Sequence, residues 1–315
     1  MNQLIFYIRK HLSEHANQGW RGVLFLCLFP LFAFSCVAYR YVSNLDIYFQ
    51  SNENALIFKG LFFTFPFLTV IFAFIFLCKP AVENQRFDVL KKRGFWQLCV
   101  LILSVLFLNQ YGYIFETKGL PIATHYFFNK VFFNIECCIF YLILPIFYWF
   151  FEHHKSNPEW RFYGFSKQGF SYQPYLLMFM LMLPLLYWAS LRPDFLHTYP
   201  RYKSGDAEQY WQISPSITIF VYELTYCLQF VCLELFFRGF IVLSLSKYLG
   251  SGSVWVMVIV YVFIHFGKPL PETIGSFFGG YILGVIAYYS RSVFGGIFIH
   301  IAVALGMEFF AYLSK

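Results

Sequence analysis

Apolar residues in this chain occur in long runs that are separated by short polar connections. Several runs reach the roughly 17–25 residues that a helix needs to cross the hydrocarbon of a bilayer. They occupy residues 22–39, 57–78, 98–115, 131–151, 175–191, 217–237, 251–267, 273–289 and 293–313. Because Asn109 and Gln110 weaken the third run, the pattern predicts an all-α, polytopic transmembrane helical bundle with eight or nine spans.

The composition agrees with this pattern. Of the 315 residues, 59% are hydrophobic and 24% are aromatic. The 12% that are charged amount to about half the share found in soluble domains, and a soluble core has no room for so much apolar surface. Residues 1–21 are polar, and the run that follows is long enough to span, so we expect no cleavable signal peptide.

Basic residues are concentrated in alternate connections, which predicts the orientation of the helices. The positive-inside bias places such connections, and the N-terminus with them, in the cytoplasm. Their placement also explains the net charge of +7, so we expect membrane lipids rather than nucleic acid as partners, and the plasma membrane as the location. The basic residues are Arg9, Lys10, Arg21, Lys79, Arg86, Lys91, Lys92, Arg93, Lys155, Arg161 and Lys167.

The cysteines and glycines bear on packing rather than on chemistry. All eight cysteines fall in predicted spans or at their ends without metal-finger spacing, so we expect small apolar packing residues. Glycines become frequent after residue 250. Gly280 and Gly284 form a G-x-x-x-G pair, which predicts the close approach of two helices.

Four ionisable residues lie in strongly apolar stretches of the last third: Glu234, Arg238, His265 and His300. A charged side chain at mid-membrane costs roughly 2.5–3.5 kcal/mol on insertion scales, so such residues usually have a partner or a function. Glu234 and His265 lie about 16 and 15 residues on either side of a break at 250–252, which predicts similar depths in an antiparallel helix pair. Arg238 follows Glu234 at the four-residue spacing of an ion pair.

These residue types are suited to activating water. A buried carboxylate and an imidazole can together deprotonate a water molecule, and a second imidazole can stabilise an oxyanion. Glu234, His265 and His300 would also suffice as a three-ligand zinc site. The structural alternative is an ion pair between Glu234 and Arg238, with each histidine bonded to a backbone carbonyl. Four such residues in one third of an apolar chain favour a function.

The stretches around these residues resemble the motifs of the CAAX-protease and bacteriocin-processing (CPBP, or Abi) family of intramembrane proteases. LELFFRG is similar to E-E-x-x-x-R, with Glu234 and Arg238 at its second glutamate and its arginine. YVFIH, ending in His265, is similar to F-x-x-x-H, and His300 matches the histidine of H-x-x-x-N/D. The resemblance implies a core in 217–315 that carries the motifs. Residues 1–216 would hold the cytoplasmic N-terminal segment and the preceding transmembrane helices.

Two positions depart from these motifs. Leu233 replaces the first glutamate, which the family is held to use to activate water, and Ala304 replaces the last polar residue of the third motif. Glu308, two helical turns beyond His300, is a possible substitute carboxylate. Gln229 and Glu272 are weaker candidates.

The favoured function is an intramembrane endopeptidase that hydrolyses a peptide bond in a membrane-associated peptide or protein. Glu234 and His265 would activate water. Arg238 would keep Glu234 ionised, and His300 would polarise the scissile carbonyl.

Two other functions remain open. Leu233 and Ala304 motivate a non-catalytic binding or self-immunity protein of the same family. Glu136, Glu223 and Glu308, which lie in predicted spans, motivate a small transporter with proton relays. Transporters often consist of repeated halves, and the sequence shows no internal repeat. For Glu136 we expect a structural role.

Overall fold

The computed structural model describes residues 2–43, 55–80, 82, 85–153, 162–166 and 172–314. These residues form helices and turns, and no strand occurs among them, which confirms the all-α prediction. The α-helices are α1 (Asn2–Ala16), α2 (Trp20–Val42), α3 (Ala55–Leu77), α4 (Arg93–Tyr111), α5 (His125–Tyr148), α6 (Gln173–Ser190), α7 (Pro193–Thr198), α8 (Asp206–Trp211), α9 (Pro215–Glu234), α10 (Leu245–Leu249), α11 (Ser253–Phe263), α12 (Leu270–Ser290) and α13 (Phe294–Leu313).

Tighter and wider helical turns connect some of these elements. The 3-10 helices are Asp88–Lys91, Ile122–Thr124, Phe162–Gly164 and Gly250–Gly252, and the π-helices are Trp149–His153 and Leu235–Ser244. The break that the sequence predicts at 250–252 is therefore a single 3-10 turn between α10 and α11.

Seven helical segments in the described part of the chain are long and apolar enough to span a membrane. One of them, Pro215–Phe263, contains the predicted span 217–237 and most of 251–267. Leu61–Leu77 is a shorter apolar helix in the place of the span predicted at 57–78. Each of the nine predicted runs overlaps a helix. Because seven segments meet the length and hydropathy that a span needs, the predicted count of eight or nine is approximate. Among the predicted topology signals, Lys155, Arg161 and Lys167 lie outside the described residues.

One compact unit comprises residues 1–107, 159–169 and 237–293. Its centre is α11, whose residues are all buried, and α11 packs against α3 and α12. The glycine pair of α12 makes this packing close. A Cβ atom on Gly280 would lie 2.9 Å from the ring of Tyr261, and one on Gly284 would lie 2.5 Å from Met257. The predicted close helix approach is confirmed.

In the same unit, α1 docks through two buried histidines. His11 Nε2 donates to the Ser251 carbonyl at 3.0 Å, and the Tyr281 hydroxyl lies 3.0 Å from His11 Nδ1. The ring of His15 lies edge-on to that of His11 at 4.9 Å. Burial lowers the pKa of His11 to about 4 and that of His15 to about 3, so both rings are neutral at pH 7.

A second compact unit comprises residues 108–158, 170–236 and 294–315. In it, α9 packs against α5 and α13, and α13 packs against α6. The connection 192–216 contains the short helices α7 and α8.

Glu208 of α8 holds this connection against the start of α9. The carboxylate accepts hydrogen bonds from the Tyr202 hydroxyl, the Thr218 hydroxyl and the Gly205 amide. Burial alone would favour the neutral acid, but these hydrogen bonds hold the pKa of Glu208 below its usual range. The second unit therefore has an ordered cap at one end of α9.

Candidate functional site

Glu234 is the last residue of α9 and lies on a buried face of that helix. The residues of this face are spaced four apart, and residues four apart lie close to the same side of an α-helix. Its members are Thr218, Tyr222, Tyr226, Phe230 and Glu234. Glu234 is 0% exposed, so its carboxylate points into protein and not toward lipid.

His300 of α13 bonds directly to this carboxylate. Its Nδ1 lies 2.8 Å from Glu234 Oε1, and because a carboxylate only accepts, the imidazole is the donor. The His300 side chain is 14% exposed. A hydrogen bond from Nδ1 fixes the neutral ring in the tautomer whose Nε2 carries a lone pair.

Two further residues complete the contact between α9 and α13. The ring of Phe230, one turn before Glu234, lies 4.4 Å from the His300 ring. Gly296, one turn before His300, faces Glu234, and a side chain there would overlap Glu234 Oε2. The contact between α9 and α13 therefore involves four residues, which we call the crossing cluster: Phe230, Glu234, Gly296 and His300.

In the other unit, Arg238 is fully buried within the π-helix Leu235–Ser244. Its guanidinium lies 4.2 Å from the centroid of the Tyr261 ring, within the range of a cation–π contact. The predicted pairing of Arg238 with Glu234 assumed α-helical spacing, and the helix here is wider. That pairing stays a prediction.

His265 follows α11 in a turn rather than lying within the helix, as the predicted span 251–267 assumed. Its Nδ1 donates to the Tyr261 carbonyl at 2.7 Å, and the two rings are 4.6 Å apart. The carbonyl of His265 accepts from the Thr273 hydroxyl at 2.7 Å, which ties the turn to α12. Tyr261 thus contacts both Arg238 and His265.

Within each unit the structure brings two of the four predicted residues to one place. Glu234 and His300 share a hydrogen bond, and Arg238 and His265 share contacts with Tyr261. The common depth that the sequence predicts for Glu234 and His265 stays a prediction.

The other carboxylates noted in the sequence have local partners. The Ile114 and Phe115 amides donate to Glu136 Oε1 at 2.9 and 2.7 Å, which gives Glu136 the structural role expected of it. The Arg201 amide donates to both carboxylate oxygens of Glu308, at 3.1 and 3.0 Å. The use of Glu308 as a substitute carboxylate stays a prediction.

No group of three or more His, Cys, Asp or Glu side chains that could hold a metal ion occurs among the described residues. Zinc ligation by Glu234, His265 and His300 stays a prediction.

Three residues of the site are not among the sequence candidates: Phe230, Tyr261 and Gly296. Each lies four residues before a motif residue, namely Glu234, His265 and His300. A search one helical turn upstream of each ionisable residue would have found all three.

Residues 215–306 match the family model described as Type II CAAX prenyl endopeptidase Rce1-like. The match covers less than a third of the chain and includes all four predicted site residues. No curated protein and no solved structure matches the chain. The resemblance predicted from the motifs is confirmed over these residues. Together with the apolar helices, the match supports an integral membrane protein of the intramembrane protease kind.

Proposed function

We propose that this protein is an intramembrane endopeptidase that hydrolyses a peptide bond in a membrane-associated peptide or protein. The observation that carries the proposal is the hydrogen bond of 2.8 Å between His300 Nδ1 and the buried Glu234 carboxylate. A carboxylate that holds the tautomer of an imidazole is a recurrent arrangement for general-base catalysis.

In the proposed reaction, His300 Nε2 removes a proton from water as the water oxygen attacks the scissile carbonyl. Glu234 stabilises the imidazolium that forms, because its buried negative charge lies beside the new positive charge. The imidazolium then gives its proton to the leaving amine as the C–N bond breaks. The hydrogen bond thus favours His300 as the base, a role that the motifs alone would give to Glu234 and His265.

His265 is proposed to orient the attacking water by accepting a hydrogen bond from it. Because Nδ1 donates to a backbone carbonyl, the neutral ring is held in the tautomer whose Nε2 carries a lone pair. The role proposed for Arg238, which is taken from the motifs, is to orient the site carboxylate. Both roles rest on the motifs, and that of His265 is tested by substitution.

The test is processing of membrane peptides co-expressed with Glu234→Gln, His265→Ala or His300→Ala. General acid–base groups contribute about 10²–10⁴-fold, so each variant should lose at least 100-fold in processing. The first probe is a farnesylated peptide ending in Cys-aliphatic-aliphatic-X, because the matched family is described as a CAAX prenyl endopeptidase. His197→Ala, on an exposed position of α7, is the control and should process normally. Unchanged processing in all three site variants would contradict the proposal.

A non-catalytic binding or self-immunity protein is the second candidate, and two buried apolar side chains favour it. Leu233 and Ala304 are 6% and 4% exposed, and both stand where the resembled motifs have polar residues. The double variant Leu233→Glu, Ala304→Asn separates the two functions. If cleavage appears only in this variant, the natural protein is a binder, whereas cleavage by the natural chain excludes that candidate.

We also infer a cytoplasmic N-terminus and a plasma membrane location, which the basic residues before α2 and after α3 support. A cysteine placed at residue 3, in a background without the native cysteines, should react with a membrane-impermeant maleimide only after the cells are permeabilised. Labelling of intact cells would reverse the assigned orientation.

A further inference from the structure

We infer that Gly296 is a positioning residue for the Glu234–His300 pair, an inference that rests on the proposed function. The evidence is steric and comes from α9 and α13. A Cβ atom at position 296 would overlap Glu234 Oε2, the oxygen that does not carry the His300 hydrogen bond. The missing side chain therefore leaves the volume into which one half of the carboxylate fits.

The geometry of the crossing cluster explains why the position matters. Gly296 and His300 are one helical turn apart on α13, so both face α9. Glu234 is held between them, with Oε1 bonded to His300 and Oε2 against Gly296. Any side chain at 296 pushes the carboxylate along the direction that changes its distance and angle to His300 Nδ1.

Phe230 packs against the imidazole of His300. Its ring lies 4.4 Å from that of His300 at an angle of 37°. The aromatic contact restricts rotation of the imidazole, and the glycine leaves room for the carboxylate. The two partners of the hydrogen bond are thus positioned separately: His300 by the Phe230 ring, and Glu234 by the space that Gly296 leaves.

Another glycine of α13 provides a matched control. Gly306 lies on the same helix, and a Cβ atom there would be 2.9 Å from the flexible end of Leu186 and 3.5 Å from Phe179. Gly306→Ala thus makes the same chemical change in the same helix, with no contact to the crossing cluster. It should retain natural activity.

The experiment compares Gly296→Ala with the natural chain and with Gly306→Ala, reconstituted in vesicles with the farnesylated peptide as probe. Displacement of a catalytic group by about 1 Å can cost about 100-fold, so kcat should fall between 10-fold and 100-fold while KM changes little. A second readout does not need activity. The Nδ1–H proton of His300, followed by NMR with labelled histidine, should move upfield in Gly296→Ala because its hydrogen bond to Glu234 lengthens.

A double variant distinguishes positioning from general damage. Glu234→Asp shortens the carboxylate by one methylene and makes room for a methyl group at 296. Gly296→Ala should therefore cost little in the Glu234→Asp background, and the double variant should stay within about 3-fold of Glu234→Asp alone. If Gly296→Ala alone fails to fold, the double variant should fold, because Glu234→Asp relieves the same overlap.

Two results would overturn the inference: natural kcat and a natural His300 signal in Gly296→Ala, or a double variant that loses the product of the two single losses. Failure of the proposed function looks different. In that case neither the natural chain nor any variant cleaves a probe. The His300 Nδ1–H signal nevertheless moves in Gly296→Ala and returns in the double variant.

Discussion

At the scale of single residues, the site depends on partners that hold ionisable groups in one orientation. Glu234 holds the tautomer of His300, and the Tyr261 carbonyl holds that of His265. A hydrogen bond to a fixed acceptor holds a neutral imidazole in one tautomer, and acid–base catalysis requires a defined tautomer. Of these two partners, the sequence identified only Glu234 as a site residue.

The first prediction concerns the ring of Tyr261, which contacts Arg238 through its face and lies beside His265. Tyr261→Phe keeps the ring and should retain activity within about 3-fold. Tyr261→Leu removes the cation–π contact, worth about 2 kcal/mol when desolvated, and should lower both thermal stability and activity. The measurements are the activity of the purified variants and their thermal unfolding in detergent. Equal losses in Tyr261→Phe and Tyr261→Leu would refute the prediction.

At the scale of elements, small residues decide how closely helices approach. Gly280 and Gly279 are neighbours on α12 with opposite surroundings. A Cβ atom on Gly280 would lie 2.9 Å from the Tyr261 ring, whereas one on Gly279 would meet nothing within 4 Å. The sequence showed the G-x-x-x-G spacing, but only the structure shows that Tyr261 is the residue it accommodates.

This pair gives the second prediction. Gly280→Ala overpacks the contact with α11 and should destabilise the protein by about 1–3 kcal/mol. Gly279→Ala should leave the stability unchanged or raise it, because alanine is the better helix former. Thermal unfolding of the two variants in the same detergent tests the difference. Equal stability would mean that α12 does not rely on Gly280 for its packing.

The third prediction concerns the docking of α1, which depends on neutral histidines. The pKa of His11 is about 4 when α1 is docked and near 6.5 when it is exposed, so the undocked state binds more protons below pH 6.5. Docking is therefore strongest above pH 6.5 and weakens as the pH falls, by about 3 kcal/mol at pH 4 for His11 alone. The charged groups nearby are Glu14 and Lys10 on α1, the latter over the Tyr289 ring.

Hydrogen exchange of the α1 amides, corrected for the intrinsic rate, measures this effect. Protection should fall between pH 7 and pH 4 in the natural chain. His11→Gln cannot titrate and should show a smaller change, whereas His197→Gln, on an exposed position, should behave like the natural chain. Protection of α1 that stays constant over this range would contradict the burial of neutral imidazoles.

At the scale of the whole molecule, the sequence predicted the spans well because hydropathy is summed over many residues. Each apolar run overlaps a helix, yet the ends differ: the run 131–151 lies in a segment that begins at Ile122. The first turns of α5, His125–Lys130, mix aromatic with polar residues, so a hydropathy window misses them. The same window gave no warning of the π-helix Leu235–Ser244 or of the helices in 192–216.

The site was partly predictable for a related reason. Ionisable residues in apolar runs stand out one at a time, so Glu234, Arg238, His265 and His300 were found. Their partners are ordinary core residues in the sequence, and only packing distinguishes Phe230 from the other phenylalanines. The buried histidines of α1 lie in a polar segment, where a histidine attracts no attention.

The central claim is that Glu234 and His300 form a hydrolytic pair, and the most direct measurement is the cleavage rate of the purified chain. The natural chain and Glu234→Gln are reconstituted in vesicles with the farnesylated peptide and with unmodified transmembrane peptides, and products are identified by mass spectrometry. We predict cleavage by the natural chain at a single bond, at a rate at least 100-fold above that of Glu234→Gln. Equal rates for the two chains would contradict the account.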